Sequence, residues 1–349
     1  MRHFEWILIA SLGCGENPGA PDTDATTAEV CIPGGTPLTA PSTAREYVEM
    51  CEPELGVPPV FDCAEGVRIP ITVNGVEVNE MQPAFSCDLY SLQEGECVPG
   101  STINRVAGHD RDGTQRPEVT WVQFCRTEGE LSESGDVAWS YVGAQMIGYN
   151  YDTGATCYFE LNVPGQSEWV QMDDNYQVTS DLPSYDSPDF DDAFLAAPMQ
   201  CVWCHQNDPF VHHPWVDQAR LPSNPEEPML PVLTADSPYY VVGGSDWDMR
   251  TIHIEDNACL DCHRIGMETD MLYRYNGLNA DDWMPAHHPG SLSADYAELL
   301  ECWEAGPENT SGCIWWYPPG GGCEGREAGA DFPFAAGYFN FARDNFYGF

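Results

Sequence analysis

Val119-Thr120-Trp121-Val122-Gln123-Phe124-Cys125 and Trp139-Ser140-Tyr141-Val142-Gly143-Ala144-Gln145-Met146-Ile147-Gly148 are the two runs on which the reading of this chain turns. Both are built from β-branched and aromatic residues, which fit a pleated, half-buried surface. Asp152-Thr153-Gly154 then supplies turn chemistry, and Cys157-Tyr158-Phe159 resumes the pattern. Upstream, Ile71-Thr72-Val73, Asn74-Gly75 and Val76-Glu77-Val78 read as strand, two-residue turn and strand, because Asn-Gly tolerates the positive φ that a type I′ hairpin requires. One helix is expected at the start, with Ser42 or Thr43 capping Ala44 to Met50. Strand signals dominate from Cys31 to about Pro164.

Between Ser180 and Asp189 the sequence SDLPSYDSPD is acidic and carries two prolines, the composition of a domain boundary. Helix is expected beyond it, over Phe190 to Ala197 and, capped by Ser293, over Ala294 to Ala305, where Leu299 and Cys302 share a face. Asp110-Arg111-Asp112-Gly113 begins like a calcium loop, lacks the later ligands and reads as a turn. Asp186, Asp189, Asp191 and Asp192 read as a solvated run. No nucleophile elbow, phosphate loop or dinucleotide fingerprint is present in the sequence.

The chain has 56 acidic against 13 basic residues, a net charge of -43, and every cation is Arg. A field of that sign disfavours nucleic acid and anionic lipid surfaces, and it favours cationic partners, divalent metals or salty surroundings. Fifteen cysteines spread along 349 residues are too many for a reducing compartment. Trp6 to Ala10 is a short apolar run that leads into Ser11-Leu12-Gly13-Cys14, and Gly15 to Glu29 is a polar, Pro- and Gly-containing stretch that cannot bury a core. No later run is long and apolar enough to span a bilayer.

Two stretches carry chemistry. Cys201-Val202-Trp203-Cys204-His205 and Cys259-Leu260-Asp261-Cys262-His263 are both C-x-x-C-H, the attachment signature of c-type haem. On one helical turn, positions i, i+3 and i+4 share a face, so two thiols can bond the haem vinyl groups while the imidazole reaches the iron. Removing these four thiols and Cys14 from the fifteen leaves ten: Cys31, Cys51, Cys63, Cys87, Cys97, Cys125, Cys157, Cys302, Cys313 and Cys323. An even set can pair fully, and with seven in the first half and three in the second, full pairing needs at least one bridge between the halves.

His212 lies seven residues beyond His205, which at roughly 3.3 Å per residue lets the chain wrap a haem edge. It is a candidate distal ligand, with His213 behind it; His253, just before the second motif, is another. His287, His288, Met229, Met267 and Met271 complete the field.

The Ser11-Leu12-Gly13-Cys14 segment resembles a bacterial lipoprotein signal, which implies acylation of Cys14 and contact with the membrane through that anchor alone. Met284 precedes Pro285 as the distal Met does in many small class I cytochromes c, which makes Met284 a third candidate. The last 160 or so residues resemble a dihaem c-type cytochrome. Together these readings give an α+β chain: signal segment 1–13, tether 14–30, disulfide-rich β domain 31–185, and a mainly helical, loop-rich dihaem cytochrome c domain 186–349. The resemblance implies two haem c groups and electron transfer in the periplasm or at the outer membrane, with redox proteins such as basic cytochromes as partners. The alternatives are a haem-dependent oxidoreductase of peroxidase type, with Trp203 and Trp283 supporting transfer between sites, and a binding module coupled to the haems.

Overall fold

The computed structural model describes residues 41–91, 95–162, 168–196, 201, 205, 207–234, 236–243, 251–261, 264–266, 290–305, 309–319 and 327–328. All of them lie in the unit Cys31–Phe349; Met1–Val30, including Cys14, is outside the described residues.

Helix α1 (Ala44–Leu55) opens the fold. The Thr43 side chain caps the helix by accepting from the Glu46 backbone N–H, and the Glu46 carboxylate accepts the N–H of Ser42, the residue before the cap, at 2.8 Å. Ala44, Tyr47, Val48, Cys51 and Leu55 fall at helical spacing and are all buried.

The stripe packs on a seven-stranded sheet of β1 (Val67–Arg68), β4 (Thr102–His109), β5 (Gln115–Leu131), β6 (Val137–Asn150), β7 (Ala155–Leu161), β10 (Phe194–Ala196) and β13 (Tyr240–Val241). β1, β4, β5, β6, β7 and β10 are neighbours in that order, all antiparallel, and β13 joins β7 in parallel. The alternation of β5 distributes its side chains to two cores. Val119, Trp121 and Cys125 face α1, whereas Val122 and Phe124 face the second cluster with Phe210, Trp215 and Leu230. Disulfides Cys51–Cys157 and Cys63–Cys125 lie in the first core, the former tying α1 to β7. Gly148 permits this packing, because a Cβ there would stand 2.7 Å from the Trp121 ring.

Small pairs surround the sheet. β2 (Thr72–Val73) and β3 (Val76–Glu77) form the Asn-Gly hairpin with φ of 52° at Asn74 and 74° at Gly75, as expected for type I′. β8 (Val170–Met172) pairs β9 (Val178–Ser180), and β11 (Arg220–Leu221) pairs β12 (Asn224–Pro228). A third core lies between helix α3 (Ser293–Ala305) and the sheet of β14 (Thr251–Ile254), β15 (Cys313–Trp316) and β16 (Glu327–Ala328). Leu299 and Cys302 are both buried in it, and Cys302 is bridged to Cys313.

The expected mainly helical C-terminal domain is corrected here: among the described residues strand accounts for 35% and helix for 17%, a β-rich fold. The helix expected over Phe190 to Ala197 is one turn, α2 (Phe190–Ala193), and the chain then extends as β10 to pair with β7. The reason is steric. Seven prolines between Pro209 and Pro238 remove helix donors and disfavour helical geometry in the residues before them.

Candidate functional site

His205 is half-buried beside the sheet. Its Nδ1 is 3.3 Å from the Asp208 carbonyl oxygen, so Nδ1–H donates and Nε2 keeps its lone pair. Burial pushes the imidazole pKa down to about 4, which keeps the ring neutral and able to bind a metal at ordinary pH. The Tyr239 hydroxyl donates to the His205 carbonyl and lies 2.8 Å from the Tyr158 hydroxyl, whose ring is 5.3 Å from the His205 ring. Cys201 packs against the first core and takes no part in the four disulfides of the described residues.

A cavity of about 140 Å³ opens beside His205 along the face of the sheet that carries Val122 and Ile147. Val122, Phe124 and Ile147 form its floor, Phe210 and Trp215 cover it, and His213, Arg126 and Gln145 are its polar lining. A neutral His205 whose Nδ1–H is held by a carbonyl keeps Nε2 as a possible ligand atom.

The distal candidates differ. His212 places Nδ1 2.9 Å from an Asp217 carboxylate oxygen and Nε2 3.1 Å from the Pro231 carbonyl, so both nitrogens serve protein acceptors. Burial opposes its charge, but Asp217 and the Pro231 carbonyl outweigh burial and the pKa is raised. His213 instead lines the cavity, is 4% exposed, and accepts the Trp215 backbone N–H at Nδ1 over 3.2 Å. Burial lowers its pKa to about 4, so the neutral ring carries its proton on Nε2. His253 is exposed on β14 with its ring 5.6 Å from that of Trp316. Met229 is buried in the second core. Cys204, Cys262, His263, Met267, Met271, Met284, His287, His288, Trp203 and Trp283 lie outside the described residues.

The fold brings the neighbourhoods of the two motifs together. Arg264, directly after the second motif, is buried and donates to the carbonyls of Asn207 at 3.1 Å, Thr234 at 2.9 Å and Ser237. Asn207 is two residues beyond His205. Nearby, the β14 residue Ile252 donates to the Ile265 carbonyl at 2.8 Å, and the half-buried Cys259 packs against the third core.

Sequence reading assigned the cavity floor to a separate domain and so missed it, together with Arg126, Tyr158, Tyr239 and Arg264. Only Arg264 had a signal, its place beside the motif. Cys87–Cys97 completes the four disulfides of the described residues; Cys31 and Cys323, the two left of the expected ten, lie outside them. Among the described residues no group of three His, Cys, Asp or Glu side chains is placed to hold a bare metal ion, and no helix is long and apolar enough to cross a membrane. The expected turn is found at Asp110 to Gly113, where the Gly113 N–H donates to the Asp110 carbonyl. Compared with known proteins, the chain matches no family model, no curated protein and no solved structure.

Proposed function

We propose that this chain is an exported electron carrier with two covalently attached c-type haems, held to the cell envelope by acylation at Cys14. Cys201 and Cys204 would hold one haem with His205 as proximal ligand, and Cys259 and Cys262 the other with His263. The single observation that carries the reading is the exact repetition of C-x-x-C-H in a chain this rich in cysteine. The His205 ring supports it, because Asp208 fixes the tautomer that leaves Nε2 for iron. When bound, the haems supply one-electron redox chemistry. The protein holds the His205 imidazole through Asp208, lines the cavity beside it with Phe124, Phe210 and Trp215, and ties the two motifs' neighbourhoods together through Arg264.

Denaturing electrophoresis with haem staining, followed by acid-acetone extraction, is the test. Two haems per chain should resist extraction, Cys201→Ala with Cys204→Ala should remove one, and Cys259→Ala with Cys262→Ala the other. Complete extraction from the wild type refutes the proposal.

A second reading, an oxidoreductase of peroxidase type, is favoured by one observation. His212 has both nitrogens engaged and neutral His213 accepts the Trp215 N–H at Nδ1, so its Nε2 carries a proton rather than a lone pair and neither ring is set to coordinate iron. A high-spin ferric optical spectrum selects this reading, and two low-spin haems select the carrier.

A further inference from the structure

One face of the β5–β6 ribbon joins solvent to the cavity in register. Starting at the hairpin end, the cross-strand pairs are Glu130 with Trp139, Glu128 with Tyr141, Arg126 with Gly143, Phe124 with Gln145 and Val122 with Ile147. All ten side-chain positions lie on the same face, because they alternate by two along each strand. The inner pairs line the cavity that His205 borders. Of the outer pairs, Glu130 and Trp139 are exposed, whereas Glu128 and Tyr141 are half-buried.

The contacts along this face are continuous. Trp139 is 39% exposed and stacks on Tyr141, with centroids 5.5 Å apart and planes 20° from parallel. Its indole N–H donates to Glu130 at 3.1 Å, and the Tyr141 hydroxyl donates to Glu128. Glu128 lies 3.4 Å from Arg126, which also pairs with Glu96 at 2.7 Å and lines the cavity. A Cβ at Gly143 would meet nothing within 4 Å, so the face is open above Arg126. At the hairpin turn Glu133 and Asp136 are exposed, as are Glu130 and Val137. The only cation on this stretch is Arg126, which is buried and paired with Glu96.

An exposed Trp and an exposed Val on the same hairpin end as three exposed carboxylates, Glu130, Glu133 and Asp136, match the anatomy of a docking patch: an aromatic anchor with a charged rim. Its sign selects a cationic partner. We propose that the Trp139–Tyr141 face of the β5–β6 hairpin is the docking surface for a basic one-electron carrier protein and the entry point for its electron. This rests on the haem reading above. In the step, the partner's reduced centre loses one electron and the ferric haem at Cys201 and His205 gains it; no bond is made and no proton moves.

The probe is a small lysine-rich cytochrome c, whose binding to the full chain is measured by calorimetry at low and high salt, with covalent haem content determined on the same samples. Wild type should bind at low salt and lose affinity at high salt. Glu130→Gln, Glu133→Gln and Asp136→Asn together should weaken binding at least about tenfold, and Trp139→Ala should weaken it separately. A control of equal charge change, Glu65→Gln with Glu77→Gln and Glu226→Gln, all exposed and outside the hairpin, should bind like wild type. No binding by wild type, or equal loss in the two triple variants, overturns the docking surface whatever the haem content. Absence of covalent haem refutes the carrier reading, and with it the electron step, independently of where the probe binds.

Discussion

His212 and His213 are adjacent in sequence and opposite in chemistry. Burial opposes charge on His212 but Asp217 outweighs it and raises its pKa, whereas His213 is held neutral by burial. For His212 the folded pKa is raised, so its contribution to stability is complete below the unfolded value near 6.5 and is lost as pH rises through the folded value. For His213 the folded pKa is depressed to about 4, so its contribution is present above about 6.5 and is lost as pH falls toward 4. Asp217→Asn should lower the His212 pKa and leave that of His213 near 4, read from imidazole NMR titrations. An unchanged His212 pKa would remove Asp217 as the cause.

A second residue-scale prediction concerns Arg126. It is buried and paired with Glu96, with Ser91 accepting from the same nitrogen at 2.8 Å. Glu96→Ala strips one carboxylate from a buried cation and should cost about 3–5 kcal/mol of stability in urea unfolding. A loss below about 1 kcal/mol would mean that Glu128 alone suffices.

At the scale of elements, the bond between α1 and β7 matters most. Cys51–Cys157 closes a sequence separation of 106 residues, and a loop of that order limits the unfolded chain enough to contribute about 4–5 kcal/mol in the chain-entropy model. Cys51→Ala with Cys157→Ala should lower the urea midpoint accordingly, whereas the same change at Cys87–Cys97, with a separation of 10, should cost less. The β7 entry carries a comparable dependence on one residue. Gly154 has φ of 78°, and a Cβ there would lie 2.3 Å from the Pro238 backbone, so Gly154→Ala should displace β13 from β7. Hydrogen exchange at the Tyr240 and Val242 amides, which bond Gly154 and Thr156, reports it. Elements with local causes were legible in advance. The Asn-Gly hairpin, the capped α1 and the β5, β6 and β7 runs needed only turn chemistry, a cap and alternation. Phe190 to Ala197 was not legible, because the partner that draws Phe194–Ala196 into a strand is β7, more than thirty residues earlier in sequence.

For the whole molecule, a net charge of -43 means strong self-repulsion in the folded state. Raising salt from about 0.01 M to 1 M shortens the screening length from about 30 Å to 3 Å and should raise the melting temperature. A melting temperature that does not rise would show that the carboxylates are already neutralised locally, by bound cations or by pairing.

The amino-acid sequence by itself determined the C-x-x-C-H repeats, the acidic field and the first half of the strand plan, because each depends on neighbours a few residues apart. Only the tertiary structure decided that residues beyond Asp189 join the sheet, that Val122, Phe124 and Ile147 floor the cavity beside His205, and that Arg264 reaches Asn207. Those contacts link residues tens of positions apart. They exist because the second face of a twisted sheet must be covered by apolar side chains, and a proline-rich chain covers it with loops and short strands rather than helices.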